Sequence, residues 1–365
     1  MIPLAIHGIG PVGAFGAGLD ELRSALKGEK KVEPELTEIE TDRGIYNLPI
    51  FRASTKTLTK FIKGRELRRL DHFSRMALLG ACLACENSGQ MLSGERTGLI
   101  VASAYGASAT TFSFLDSVIE GGDALASPTL FSNSVHNAAA AHIAKHLKIT
   151  GPNLSLTQGR LSVPMALLTA AQWLAEGRVD TVLCGAVDEY CEVLGYCRQS
   201  YHNRKVPATE GNHNFSPRPD RLDGPGEGSL FFRLSRAREI EAAYGYLEKL
   251  ELNSPKLPSP VPFIYSPEAC AENSELGFSQ FKHRLPLDLA QICGSFPIAL
   301  AFDLAAAATM LYDQTLYLND PIKTPRQEPF SGSALGCLQT DSTTFRKPLT
   351  GDYYWITNCL QEKEE

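Results

Sequence analysis

Gly151-Pro-Asn-Leu-Ser-Leu-Thr-Gln-Gly-Arg-Leu-Ser-Val-Pro-Met-Ala-Leu167 reads as a strand, a sharp turn and a buried helix. Leu154 and Leu156 supply the strand and Gly159 the turn; Met165, Leu167, Leu168, Ala171, Trp173 and Leu174 supply an apolar helix ending near Gly177. Such a corner suits a nucleophile, because a helix N-terminus lowers a thiol's pKa and its free N–H groups can hold an oxyanion. The residue at the corner is Arg160. A guanidinium stays protonated and cannot attack, and its charge sits at the wrong end of the helix dipole. The corner has the form of an active site without its nucleophile. No cysteine lies between Cys85 and Cys184, so a register shift of a few residues restores none.

The 365 residues can bury a large core, as one large or two intimately packed domains. An apolar content of 43% and a charged content of 21% are globular values. The net charge of −6 argues against a nucleic-acid partner. No run of about 18 apolar residues exists, so no membrane span is expected. The opening Met1-Ile-Pro-Leu-Ala-Ile-His-Gly8 lacks a basic n-region, so no signal peptide is expected either. Nine scattered cysteines fit a reduced, cytoplasmic protein. Cys82 and Cys85 form a C-x-x-C on a small-residue helix, where two core cysteines are the simpler reading than a redox pair. His136, His142 and His146 lack a matching carboxylate or cysteine pattern and read as packing or interface residues, so neither metal nor cofactor is expected.

Along the chain, Ile6-His-Gly-Ile-Gly-Pro-Val-Gly13 formally contains G-x-G-x-x-G, but Pro11 sits inside it and no acidic residue follows at the dinucleotide spacing. A strand ending in a glycine loop, then a helix over 18–28, is expected. Residues 30–60 read as a polar, irregular excursion. Leu70, Phe73, Met76, Ala77 and Leu78 make an apolar helical face, and Arg96 to Gly106 a doubly covered strand running into glycine. In the excursion from Ala107 to Ser134, Ser108, Thr111, Phe112 and Leu115 fall at helical spacing on one side, as a channel wall or as ordinary core. Phe131 to His146 reads as one small-residue helix. Its alanines Ala138 to Ala141 permit close helix approach, across a dimer interface or within one subunit.

The corner resembles the nucleophile segment of the β-ketoacyl synthases, of the thiolase-like fold. Counted from Gly151-Pro152, the family's cysteine falls on Arg160. The register continues through Ala170-Ala-Gln-Trp-Leu-Ala-Glu-Gly-Arg-Val-Asp-Thr-Val-Leu-Cys-Gly-Ala-Val-Asp-Glu189. The segment Arg68-Arg-Leu-Asp-His-Phe-Ser-Arg-Met-Ala-Leu78 matches the family's Arg-x-x-Asp-x-Phe-Ser spacing. Asn214 to Leu234 resembles its Asp-Gly-Phe-x-x-Gly-Glu-Gly-Ala segment, with Gly226-Glu227-Gly228 kept and the gating Phe without a clear counterpart. Two histidine motifs of active synthases have no match. Phe263-Ile-Tyr-Ser-Pro-Glu-Ala269 stands where His-Gly-Thr is expected, and Ser295 replaces the histidine before the alanine-rich helix. His283 is the one histidine after His213. Ser333-Ala-Leu-Gly-Cys337 resembles a degenerate final glycine turn.

The resemblance implies an α/β, thiolase-like fold of two pseudo-repeated halves in α-β-α-β-α layers, the halves spanning residues 1–241 and 242–365. It implies no catalytic residue at Arg160 or Ser295, and therefore a catalytically silent homologue, the role of the chain-length factor (KSβ) in type II polyketide synthases. That role brings an active ketosynthase (KSα) as heterodimer partner. The acyl carrier protein is met mainly through that partner. An acyl channel is then lined by Ser108, Thr111, Phe112 and Leu115, and an interface is built from Phe131, His136, Ala138 and Ala141. Two other readings stay open: a condensing enzyme with a displaced nucleophile, Cys184 or Cys191, and a purely structural partner. Arg160, on this reading, fills a vestigial buried pocket.

Overall fold

The computed structural model describes residues 1–205, 224–237, 243–254, 263–265, 284–287, 289–318, 326–329, 334–340 and 351–357. Strand β1 (Leu4–Gly13) and the short β2 (Gly16–Ala17) lead into α1 (Leu19–Leu26). A hairpin of β3 (Glu35–Thr41) and β4 (Gly44–Ile50) precedes α2 (Gly64–Leu67) and α3 (His72–Asn87). After β5 (Thr97–Ser103) come α4 (Ser108–Gly121), α5 (Pro128–Ser134) and α6 (Ala138–Leu147). Next are β6 (Asn153–Thr157), α7 (Ser162–Ala175), β7 (Thr181–Asp188), α8 (Glu192–Lys205) and β8 (Gly228–Arg236). The second half contributes β9 (Tyr246–Ser254), β10 (Phe263–Tyr265), β11 (Arg284–Pro286), α9 (Ala290–Cys293) and α10 (Ala299–Asp313). It closes with β12 (Thr315–Leu318), β13 (Arg326–Pro329), β14 (Ala334–Thr340) and β15 (Gly351–Thr357).

Strand order exposes an internal repeat. The first half runs β1-β8-β7-β5-β6 and the second β9-β15-β14-β10-β11. In each half the first two pairings are antiparallel and the last two parallel. The halves meet where β1 pairs with β9 at Leu4↔Leu247 and Ala5↔Tyr246. This is the expected pair of pseudo-repeated halves; the boundary expected at 241/242 lies outside the described residues.

The interior strands are apolar without a break because both faces are covered. In β5, Leu99 and Val101 join one core with α3 and α6, while Ile100 and Ala102 join another with α1, α7 and α10. In β7, Leu183 and Val187 face the first core, and Val182, Cys184 and Ala186 the second. This period-two division is the strand signature. Helix α10 is buried nearly all round, from Leu300 to Leu311, as a helix in a central layer must be.

Several expectations are corrected. Gly8, Gly10 and Gly13 lie within β1, not in a loop after it. A Cβ on Gly10 would stand 2.0 Å from the Gly80 carbonyl oxygen, so this glycine admits close packing of α3, not a phosphate. The excursion over 30–60 holds the β3–β4 hairpin, whose Ile39, Leu48 and Ile50 pack with Tyr190. Its alternation is masked because exposed Leu36 and Ile45 stand on the outer face beside Glu38 and Glu40. Phe131 to His146 is two helices. Ser127 caps α5 through the Leu130 N–H, Val135 is extended, and the His136 ring packs on Gly106. Ala334 to Cys337, expected as a turn, lies in β14.

Candidate functional site

Three parallel strands, β6, β5 and β7, end at one edge of the sheet, the edge where open α/β sheets place their sites. The β6–α7 corner lies here. Gly159 adopts φ 57° and Gly159–Leu161 makes a single 3-10 turn before α7. Ser162 is fully buried beneath the corner. Its hydroxyl accepts the Gln158 N–H at 2.8 Å and lies 2.8 Å from the carbonyl oxygens of Ser103 and Gly159. The corner is thereby tied to the end of β5. Arg160 itself is exposed, which corrects the expectation of a buried guanidinium: the side chain leaves the corner towards the surface, where its charge stays hydrated.

The second motif reaches the same edge. Asp188 at the end of β7 pairs with Gly228 at the start of β8, so the Gly226-Glu227-Gly228 turn stands beside it. Pro225 bridges Ser295. Gly226 N–H donates to the Ser295 carbonyl at 3.2 Å, and Ser295 N–H to the Gly224 carbonyl at 2.9 Å. The fold therefore brings the Arg160 corner and Ser295 to one edge of the sheet. Residues 214–223, 266–269 and His283 lie outside the described residues.

A group of acids beneath this edge carried no weight in the sequence. Asp188, 1% exposed, takes three donors on one oxygen: Ser103 Oγ at 2.7 Å, Ala104 N–H at 2.9 Å and Tyr105 N–H at 3.2 Å. Burial pushes its pKa up from 3.8 to about 6 despite these bonds. Glu189, 4% exposed, accepts the Ala109 N–H at 2.8 Å and is pushed up to about 7 by burial. Glu227 holds three elements together. One oxygen takes the Ala53 N–H at 2.9 Å and faces His72 Nε2 at 2.9 Å, and the other takes the Tyr190 N–H at 3.1 Å. The half-buried His72 ring loses hydration, which lowers its pKa, but the bond to Glu227 together with the charges of Glu227 and Glu189 outweighs this and the net direction is up. The signal for this group was the acid pair Asp188-Glu189 directly after an apolar strand.

Asp188 gives a pH prediction. Its folded pKa is raised, so its stabilising contribution is full below the unfolded value and is lost as pH climbs to about 6. Asp188→Asn keeps an acceptor for the three donors and cannot titrate. Urea melts of the two proteins from about pH 4 to 7 should diverge by about 2 kcal/mol, the variant changing less. Parallel curves would refute the assignment.

The remaining site residues are placed as follows. Ser108 is buried, its hydroxyl 3.0 Å from the Tyr105 carbonyl. Thr111 and Phe112 are half-buried, Thr111 Oγ1 lying 2.8 Å from the Ala107 carbonyl. Leu115 is 44% exposed. Phe131 is exposed and packs on Phe114 with ring centroids 5.4 Å apart. Ala138 is buried within the subunit, with Ala139 and Ala140 against α3, whereas Ala141 is exposed. His142 faces Asn133 Oδ1 at 3.1 Å. With His146, Arg65, Arg69 and Lys145 it lines a cleft of about 530 Å³. Among the described residues no group of His, Cys, Asp and Glu is arranged to hold a metal. No described helix is long and apolar enough to cross a membrane.

The two cysteines put forward as displaced nucleophiles, Cys184 and Cys191, are poorly placed to attack. Cys184 lies in the middle of β7, 2% exposed, and burial pushes its thiol up to about 12. Cys191 is 7% exposed and is also raised by burial. Cys82 and Cys85 face the α3 core, as the packing reading expected, Cys82 being pushed up to about 12.

Comparison with known proteins agrees with this geometry. Residues 49–204 match the β-ketoacyl synthase N-terminal domain. A putative polyketide β-ketoacyl synthase 1 from Streptomyces virginiae is 30% identical over 183 residues, 47% of this chain and 43% of that protein, so the match spans less than half of its length. Three solved structures are similar over nearly the whole chain. The ishigamide ketosynthase/chain length factor has a TM-score of 0.67 at 14% identity, covering 98% of this chain and 99% of that one. The AntDE ketosynthase, in complex with the type II PKS acyl-carrier protein AntF, has a TM-score of 0.70 at 16% identity, covering 98% and 100%. A β-ketoacyl synthase from Burkholderia phymatum has a TM-score of 0.68 at 12% identity, covering 99% and 100%. Residues 49–204 are thus similar to the β-ketoacyl synthase N-terminal domain, and the chain as a whole has the thiolase-like fold of the solved ketosynthases.

Proposed function

We propose that this chain is a chain-length factor, the non-catalytic subunit that pairs with an active ketosynthase and shapes the channel in which a polyketide grows from malonyl units on a carrier protein. One observation carries the reading: the corner built for a nucleophile presents an exposed Arg160. Decarboxylative condensation needs a thiolate to hold the acyl chain and donors to stabilise the charge developing on the extender's thioester oxygen. Arg160 supplies neither a thiolate nor a base, and Ser295 stands where the resemblance places a histidine. The displaced-nucleophile reading is weakened by Cys184 and Cys191, both buried with raised pKa values, since the thiolate is the attacking species.

The proposed partner surface has support in the fold. Strand β6 ends its sheet among the described strands, and an unpaired edge is a template for another chain. Exposed Leu161 follows it at the corner, and exposed Ile119, Phe131 and Val135 stand on α4, on α5 and just past α5. The carrier protein is met mainly through the partner, with the cationic cleft beside His142 as this chain's own surface for an acidic domain. The location that suits this role is cytoplasmic.

The test is turnover. The purified chain should neither decarboxylate malonyl-carrier nor condense it, and Arg160→Cys should not change this, because the histidine positions are also empty of histidine. Turnover by the pure chain, abolished by replacing any one cysteine, would sink the proposal. Channel lining is tested in the heterodimer. Ser108→Phe or Thr111→Phe should shorten the product, and Phe112→Ala or Leu115→Ala should lengthen or broaden it, at near-constant turnover per complex. If these are only core residues, alanine truncation costs about 2–5 kcal/mol and lowers the yield of complex without moving the size distribution.

A further inference from the structure

The first turn of α4 is held from below by acids on two other elements. Glu189, just past β7, accepts the Ala109 N–H at 2.8 Å. Asp71, the N-cap of α3, takes the Ser74 N–H on one oxygen at 3.1 Å and Thr110 Oγ1 on the other at 3.1 Å. Beyond this turn α4 packs on α5, with Phe114 against Phe131, and leaves Leu115 44% and Ile119 80% exposed. The acids are the side chains that tie its first turn to the sheet and to α3, and Ser108 and Thr111 ride on that turn.

Glu189 sits in a crowded electrostatic setting. From α3 it faces Asp71 and His72, and from the turn before β8 it faces Glu227, which is itself bonded to His72. The Cys191 thiol lies two residues on, and Asp188 beside it in the chain serves the Ser103–Tyr105 turn. Arg52 acts on His72 from the end of the hairpin. Two neighbouring carboxylates and burial favour the neutral acid, while His72 and the Ala109 N–H favour the charged one.

We propose that Glu189 is a positioning residue whose carboxylate latches the first turn of α4, tightly when charged and loosely when protonated. A charged acceptor at a helix N-terminus bonds an N–H roughly twice as strongly as a neutral one and also meets the positive end of the dipole. Burial moves the Glu189 pKa from 4.5 to about 7, so the latch changes state near neutrality. The sign for overall stability is opposite. The folded state keeps a proton that the unfolded chain gives up near its ordinary value, so stability from this group is full below that value and is lost as pH rises to about 7. Loss of global stability together with gain of α4 order on raising the pH is a signature that a merely structural contact does not produce. The latch stands without the chain-length reading; only its effect on a channel face rests on that reading.

The experiment is amide hydrogen exchange of the full-length chain by mass spectrometry at several pH values from about 5.5 to 8.5, corrected for intrinsic rates. Peptides covering residues 108–121 should gain about fivefold protection across that range, the change expected when a neutral acceptor becomes charged. Glu189→Gln should hold them at the low-pH value throughout. A flat wild-type profile, or a profile kept in Glu189→Gln, overturns the proposal. If that variant fails to fold, His72→Gln serves instead: losing the cation should move the midpoint to higher pH, and an unmoved midpoint overturns it equally.

Discussion

Gly226→Ala is expected to cost about 3 kcal/mol of stability, the upper end for overpacking, lowering the melting temperature by roughly 5–10 °C. A Cβ at Gly226 would lie 1.9 Å from the Cys293 carbonyl oxygen and 2.9 Å from both Cys293 C and Gly294 Cα. All three obstacles are backbone, so no side chain can swing away. Gly294 is itself at φ 74°, and its own Cβ would meet Gly226 Cα at 2.6 Å. The two chains are held this close by the reciprocal bonds between Gly224, Gly226 and Ser295, and on the other side by Phe51. Phe51 N–H donates to the Pro225 carbonyl at 2.9 Å, and Glu227 N–H to the Phe51 carbonyl at 3.1 Å. A methyl group would part them and pull Glu227 from its bonds to Ala53, His72 and Tyr190. Gly64→Ala is the control, because nothing lies within 4 Å of a Cβ there. Thermal melts of the two variants side by side decide it, and equal melting temperatures would mean that the turn yields freely.

The strand–turn–helix corner was legible because each part has its own local signature: alternation in Leu154 and Leu156, a glycine at positive φ, and a long apolar helix. The α3 face and β5 were legible for the same reason, since apolar spacing reports which side is buried. What the sequence hid is mostly contact at a distance. Gly10 and Gly226 look like loop glycines in a string of letters. Their role is the approach of a second backbone, from α3 in one case and from Cys293 in the other, and spacing along one chain does not encode that. The β3–β4 hairpin was hidden because exposed Leu36 and Ile45 on its outer face break the alternation set by Ile39, Leu48 and Ile50. Arg160 was read correctly in position and wrongly in burial. Register along the chain tells which residue occupies a corner, but the direction of a long, flexible side chain depends on where water remains. The acids Asp188, Glu189 and Glu227 were visible as letters, and only the fold brings His72 and the first turn of α4 to them.

If the chain pairs with an active ketosynthase as proposed, Phe131→Asp combined with Ile119→Asp is expected to weaken that assembly by at least about a hundredfold. Phe131 is 57% exposed and Ile119 80%, on neighbouring helices α5 and α4. Phe131 is braced from behind by Phe114, so it presents a rigid aromatic face at little entropic cost on binding. Aromatic anchors at the centre of an interface typically lose about 2 kcal/mol or more when truncated, and a carboxylate adds the penalty of burying a charge. Neither residue belongs to either large buried core of the subunit, so the isolated chain should fold as before. That separates an interface effect from a folding effect. Met91→Asp is the matched control: Met91 is 67% exposed and lies before β5, at the edge of the sheet opposite the corner. Titration with the separately purified ketosynthase proposed as partner, followed by size-exclusion chromatography with light scattering, gives the dissociation constants. Unchanged assembly in the double variant would remove α4 and α5 from the interface and leave the β6 edge as the surface to be tested.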